Sequence, residues 1–487
     1  MMLRRGGVSF HGFPRPGVPA GRDEVGRKRV LTGKGWGSRP WSRWALAGAI
    51  CLLVGLPGVV LAGGSGGGGG AQPMFGTKDG VWGRIVLSYR QRPEFRTNAD
   101  LDAGTDDAFL VGYQRARVGV SLNYARWLEA FIQFQDAREV GAGNGTTAYL
   151  GNTELHQAWV RLKGPGGSSL TLGKQQLVYG SQRLIGHLEW VNKPRTYDAV
   201  KVRWQRNHGW VDLFSAFFTP DGKGNLLDGT ALTGVYHQLA LPWGVWEQYV
   251  IGLTDAEGAL PPGQTYATLE GDAPQFQRRI ATVGTRFLFK REGFKTEFEG
   301  AFQGGTADVA SGTAQKAYFA HLDAGYTADA RVKPSVHFQV NYGSGDDAST
   351  TDTVERFNNL FPTNHLHYGY MDLESLANHA SVSVGFGVKP RKRLAVRLDY
   401  WLMARATVDD GWYNAGGGAL AVPDPASTAA EQDSKLVGHE VDLTVKVPVN
   451  KHFKVVSGAS FFQPAGFGLT RGPDPQVWAY TMLLAKF

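Results

Sequence analysis

From Arg331 to Tyr342 polar and apolar residues alternate. Arg331, Lys333, Ser335, His337, Gln339 and Asn341 take one parity; Val332, Pro334, Val336, Phe338, Val340 and Tyr342 take the other. Side chains on a strand point to opposite faces in turn, so this period of two predicts a strand with one polar and one apolar side. The same alternation, punctuated by Gly, Pro, Asn and Asp, predicts strands near 82–96, 109–122, 127–136, 153–163, 168–177, 198–206, 209–218, 231–241, 245–253, 279–289, 294–303, 317–326, 331–342, 379–389, 393–404, 437–448, 452–462 and 477–487, eighteen in all. Their connections alternate in length. Short ones such as "KGPGGS", "PWG", "KREG" and "VNKH" separate long ones at 97–108, 137–152, 178–197, 219–230, 254–278, 304–316, 343–378, 405–436 and 463–476.

An even strand count with that asymmetry predicts an all-β chain folded as a single transmembrane antiparallel barrel, with short periplasmic turns and long external loops. A soluble sandwich gives no reason for it. Ten residue steps from Val332 to Tyr342 extend about 33 Å, and a tilt of about 40° reduces this to roughly 25 Å, the height of a barrel's apolar band. Tyr326 and Tyr342 then fall at opposite interfaces, and Trp82, Trp204, Trp210, Trp246 and Trp478 near strand ends suit an aromatic girdle. The chain ends in "WAYTMLLAKF", a terminal strand closing on Phe487 of the kind that outer-membrane assembly machinery accepts. On this reading the apolar parity faces outer-membrane lipid and the charged parity a lumen.

The N-terminal region supports an exported chain. "ALAGAICLLVGLPGVVLA" (45–62) follows a basic flank and ends on a small residue, the pattern of a signal peptide cut after Ala62. The chain thus divides into a leader (1–62), a Gly-rich tether (63–80) and a barrel (81–487). Cys51, the only cysteine, lies in the leader. The leader also holds ten Lys or Arg and two Asp or Glu, which accounts for the whole net charge of +8 and leaves 41 of each sign behind. A neutral mature chain offers no argument for nucleic acid as a partner. Selectivity must come from where charges sit.

Alternation places Arg84, Arg90, Arg92, Glu94 and Arg96 inside on the first strand and Arg115 and Arg117 inside on the second. It adds Lys201 and Arg203, Glu297, Glu299 and Gln303, Arg331 and Lys333, Arg397 and Asp399, and Glu440, Asp442 and Lys446. Any one of these alone fits a solvated wall. The arginine density on the first two strands suits a path for carboxylate or phosphate groups, which guanidinium forks bind bidentately.

The segments "LSYRQRPEFR", "LGKQQLVYGSQRLIGHLEWVNKPRTYDAVKV", "GSGD" with "RFNNLFPTNHLHYGYMDLESLANH", and "GHEVDLTVKVPVNKHFKVVSGASFFQPAGF" resemble, in order, the motifs of the alginate-export family of outer-membrane porins. The resemblance implies an eighteen-stranded barrel with an arginine-lined conduit for a uronate polysaccharide, with Arg90, Arg92, Glu94, Arg183, Arg195 and Asp198 in the path and its constriction. Lys174 departs from the arginine usual in "LGRQ" and removes a bidentate donor. The expected function is passive diffusion or export of anionic solutes, a polyuronate among them, without a cofactor or covalent chemistry. A general non-selective porin is one alternative, and a barrel sheathing a periplasmic electron-transfer partner is another. His365, His367 and His379 lie with Asp372 and Glu374 in one long loop region, but their spacing matches no standard zinc site, and "DGKGN" at 221 lacks the distal acid of a calcium loop.

Overall fold

The structure, a computed structural model, describes residues 75–76, 80–101, 107–141, 150–218, 230–255, 277–424 and 430–487. The leader with its cut after Ala62, the glycine tract, "DGKGN" and Lys223 lie outside the described residues. Eighteen strands form one barrel: β1 (Val81–Thr97), β2 (Phe109–Tyr124), β3 (Leu128–Val140), β4 (Leu150–Lys163), β5 (Ser169–Gln175), β6 (Tyr197–Arg206), β7 (Gly209–Phe218), β8 (Thr230–Leu241), β9 (Gly244–Asp255), β10 (Arg279–Arg291), β11 (Phe294–Asp308), β12 (Thr313–Thr327), β13 (Ser335–Gly343), β14 (His379–Arg391), β15 (Leu394–Ala404), β16 (Leu436–Pro448), β17 (Phe453–Pro464) and β18 (Gln476–Lys486). Each pairs antiparallel with its successor, and β18 pairs back onto β1 from Ser88↔Lys486 to Thr97↔Val477, which leaves no open edge. That last ladder skips between Gln91↔Leu483 and Glu94↔Tyr480, where Pro93 has no N–H to give. Phe487 closes the seam by exchanging backbone hydrogen bonds with Leu87 at 2.9 and 3.1 Å.

The alternation settles which side is which. On β13, Val336 and Phe338 are 43% and 44% exposed on the outer wall, whereas Gln339 and Asn341 are 6% and 1% exposed inside. Polar in and apolar out is the reverse of a soluble sandwich and fits lipid as the outer solvent.

Several expectations change. β13 begins at Ser335 rather than at 331, so Arg331 and Lys333 lie exposed in the 328–334 turn, where Lys333 takes a left-handed φ of 43°. The long connection expected at 304–316 shrinks to 309–312 because β11 and β12 extend as a hairpin. Trp204 and Trp246 join the outer girdle with Tyr326, but Trp210 and Trp478 share the inward parity and turn into the barrel. Trp82 also takes the inward parity and is half-buried.

The core sits inside the barrel. Two long loops, 176–196 and 344–378, fold into the lumen and pair with each other: Gly186 N–H donates to Phe361 O (2.8 Å), Phe361 N–H to Leu184 O (2.9 Å) and Thr363 N–H to Gln182 O (2.9 Å). Around them Leu177, Tyr179, Ile185, Phe361 and Leu376 pack against inward Phe214, Tyr236, Tyr249 and Phe319. A second cluster gathers Met371, Trp401, Met403, Phe462, Trp478 and Tyr480.

Candidate functional site

The β1–β2 register sets Arg90 directly across from Arg115 and Ser88 across from Arg117. Like charges facing each other on adjacent strands repel, so this wall requires a counter-ligand. The 176–196 loop provides it. Arg90 donates from Nη1 to the carbonyls of Glu189 (2.9 Å) and Trp190 (2.7 Å), and from Nη2 to Val191 O (3.1 Å) and Asn192 Oδ1 (3.2 Å). Arg92 reaches Trp190 O at 2.5 Å and pairs with Glu94, whose Oε2 accepts the Trp478 indole N–H at 2.9 Å. Arg117 holds both oxygens of Glu189 at 3.0 to 3.2 Å, and Arg115 joins the same carboxylate. Burial alone would raise the Glu189 pKa, but Arg115 and Arg117 outweigh it and hold the group below the usual carboxylate range.

Trp190 is the centre of this arrangement. The Arg92 guanidinium lies 4.0 Å over its ring, His365 from the other loop stacks on it at 3.8 Å, and Trp478 and Tyr480 meet it edge-on at 5.7 and 5.0 Å. His365 Nδ1 contacts Asp372 Oδ2 at 3.0 Å and its ring faces Tyr370, so one indole links both loops to the wall.

The opposite wall is acidic and grips the 344–378 loop. Glu440 and Asp442 accept the backbone N–H groups of Met371 (3.1 Å) and Tyr370 (3.3 Å). Gly369 makes that approach possible: its φ is 93°, and a Cβ there would stand 2.6 Å from Glu440 Oε1. His379 accepts or donates at Glu374 Oε2 (2.7 Å) and Ser381 Oγ (2.8 Å). This has the order of a hydrolase relay, yet all three residues are buried and Ser381 Oγ already accepts Asn341 Nδ2–H at 3.0 Å, so the relay ties the loop to β13 and β14. Burial raises the Glu374 pKa, and burial with the nearby Arg183 charge lowers that of His367. Among the described residues no three His, Cys, Asp or Glu side chains group to hold a metal.

The residues expected in the path separate into three sets. Arg90, Arg92, Glu94, Arg115 and Arg117 come together on one wall. Arg183 and Arg195 belong to the inward loop: Arg183, fully buried, joins Glu299 (3.3 Å) and Tyr368 Oη (3.0 Å), while Arg195 donates to Gly186 O and Pro362 O at 3.3 Å. Lys201, Arg203 and Arg397 face the half of the lumen nearer the short turns, where Arg203 holds Asp212 bidentately at 2.6 and 2.7 Å and Arg397 holds Asp399 at 2.6 Å. Arg96 faces inward over Trp478.

Asp198 is a correction. It shares the exposed parity of Val200 and Trp204, so it lies on the outer face, 3.9 Å from Lys174. The lysine-for-arginine departure at 174 therefore does not alter the lumen. Glu189, Trp190 and His365 were not among the path residues expected from sequence. They sit in loops, where no periodicity assigns a side.

A family described as alginate export matches residues 81–474. Among solved structures the chain is similar to the outer membrane protein OprD of Pseudomonas aeruginosa, at 11% identity and a TM-score of 0.52, covering 83% of this chain and 93% of that one. It is also similar to OpdO of the same organism (9%, 0.54, 83% and 97%) and to OccD3 (OpdP) (12%, 0.52, 86% and 95%). At these identities the likeness concerns the fold alone. No curated protein matches the chain. The family match runs from the first barrel strand to the approach of the last, so the chain belongs to the alginate export family, and its fold is that of an outer-membrane channel for solutes.

Proposed function

We propose that this channel passes anionic solutes, polyuronates among them, by passive diffusion. The carrying observation is a local surplus of positive charge at the arginine cluster and in the half of the lumen nearer the short turns, while the inward Glu440 and Asp442 are taken up by backbone N–H groups of the 344–378 loop. Arg84, Lys201, Lys446 and Lys454 take inward parity in the half nearer the short turns and make no ion pair among the described residues. Above them stands the cluster of Arg90, Arg92, Arg115 and Arg117, with only Glu94 and Glu189 paired to it. Low-dielectric walls focus such a field on the lumen, so residues 63–487, with 41 charges of each sign, still present a cationic path. At an effective dielectric near 20, one charge at about 6 Å acts with roughly 2 to 3 kcal/mol before screening.

Arg183 and Arg195 order the loops of the constriction in this reading, and Lys201, Arg203 and Arg397 line the vestibule below it. Planar-bilayer measurements in a potassium chloride gradient test the proposal. A reversal potential favouring chloride, with block by oligogalacturonate but not by a neutral oligosaccharide, supports it. Equal permeability to both ions favours a general porin, and silence until a periplasmic protein is added favours a sheath.

A further inference from the structure

Each feature of the Glu189 site matches what an incoming uronate would present. Its carboxylate is held by the forks of Arg117 and Arg115, and the carbonyls of residues 189–191 accept further hydrogen bonds from Arg90, Arg92 and Arg115. A uronate offers the same kinds of group, one carboxylate with several oxygen acceptors. We infer that Glu189 is a tethered carboxylate occupying the channel's own anion site, so that a carboxylate solute enters by displacing it. The inference rests on the anion-channel reading above and adds the residue that competes with the solute.

The Glu189 side chain is 38% exposed, while those of Arg117 and Arg115 are 9% and 5% exposed, so the solvent-facing partner is the loop's carboxylate and what covers the arginines is the loop. Leu188, immediately before it, holds a left-handed φ of 53°, a conformation leucine rarely adopts. Docking Glu189 thus strains the backbone, and release relieves it. A solute carboxylate takes over the same guanidinium forks without that strain.

The test compares the full chain with Glu189→Gln in planar bilayers, using trigalacturonate as the probe and maltotriose as a neutral control. Heat-modifiable migration first shows that the variant barrel has formed. Glu189→Gln should lower the half-blocking concentration of trigalacturonate roughly tenfold, a usual size for coupling between two ligands, and leave maltotriose unaffected. An equal gain for maltotriose would make the loop a steric plug and overturn the inference. So would an unchanged half-blocking concentration in a channel that keeps its chloride preference, with the channel reading left standing. Absence of both chloride preference and uronate block, in either protein, sinks the channel reading itself. A second measurement leaves Glu189 intact: a spin label at Lys193→Cys, in a Cys51→Ser background, should gain mobility when trigalacturonate is added. A label that stays immobile while the probe blocks overturns the displacement.

Discussion

Replacing Trp190 with alanine should free the inward loop while leaving the barrel closed. The indole contacts Arg92 face-on at 4.0 Å, stacks with His365 at 3.8 Å and meets two further rings edge-on. A largely desolvated cation–π contact contributes about 1 to 2 kcal/mol and an aromatic pair about 0.5 to 1.5 kcal/mol. Because Trp190 is only half-buried, a net loss of about 3 kcal/mol is the reasonable total, a factor of about 150 in the docking equilibrium. If the undocked state occupies about 1% of wild type, as minor states commonly do, it would rise past one half in Trp190→Ala. Single-channel recording should show brief, rare high-conductance events in wild type and long ones in the variant, with Trp190→Phe between. The strand ladders do not involve Trp190, so heat-modifiable migration should not change. Identical dwell times would refute the reasoning and show that the arginine contacts to the loop backbone suffice. His365→Ala should produce a smaller effect of the same kind, and adding it to Trp190→Ala should change little, because the stack between the two rings is already lost there.

Arg90→Glu with Arg92→Glu should lower the chloride-to-potassium permeability ratio, whereas Lys316→Glu, on the outer face, and Lys223→Glu should do little; equal effects would show that net charge and not placement governs selectivity. Glu189 titrates below the ordinary glutamate value of 4.5, so its contribution to docking is complete above that pH and is lost as pH falls through the docked value. Channel noise should therefore rise only in acid, and Glu189→Gln should remove that dependence. Arg183→Met leaves Glu299 buried without its counter-charge, a loss of about 3 to 5 kcal/mol, and should lower the temperature of heat modification; an unchanged temperature would mean that Ser181 and Tyr249, at 3.0 and 3.2 Å, satisfy the carboxylate alone. Edman sequencing of the mature chain should begin at Gly63.

The strands were legible because a barrel wall imposes a strict rule on every residue it contains. Polar and apolar sides alternate, and the inward placement of Arg90, Arg115, Glu297 and Glu440 follows from counting by twos. The same rule excludes Asp198, which shares parity with Val200; only the motif resemblance placed it in the path. Where the rule lapses, the sequence is silent. Trp478 and Trp210 carry the composition of a girdle residue but the parity of a core residue, and parity wins because the loops inside offer them a packed environment. The shortening of β13 belongs to Pro334 and the left-handed Lys333, which stop the ladder although the hydropathy pattern continues.

The ligand of the arginine cluster could not be read from strands alone, because it lies 72 to 99 positions away in a loop without periodicity. Four guanidiniums on adjacent strands look like an open anion path until the lumen is known to be filled. Once it is, the physical demand runs the other way: a buried, mutually repelling cluster must hold an anion at all times, and in the docked state that anion is Glu189 with the carbonyls around it. On the proposed reading, ion preference and loop docking then depend on the same four side chains, which hold the loop here. A change that weakens the grip on solute carboxylates at Arg115 or Arg117 should also weaken the grip on the loop, whereas a change at Lys201 or Lys446, which lie on strands in the half nearer the short turns, should alter ion preference alone. On the proposed anion-channel reading, selectivity is thus separable from loop docking in the lower vestibule and inseparable from it at the arginine cluster.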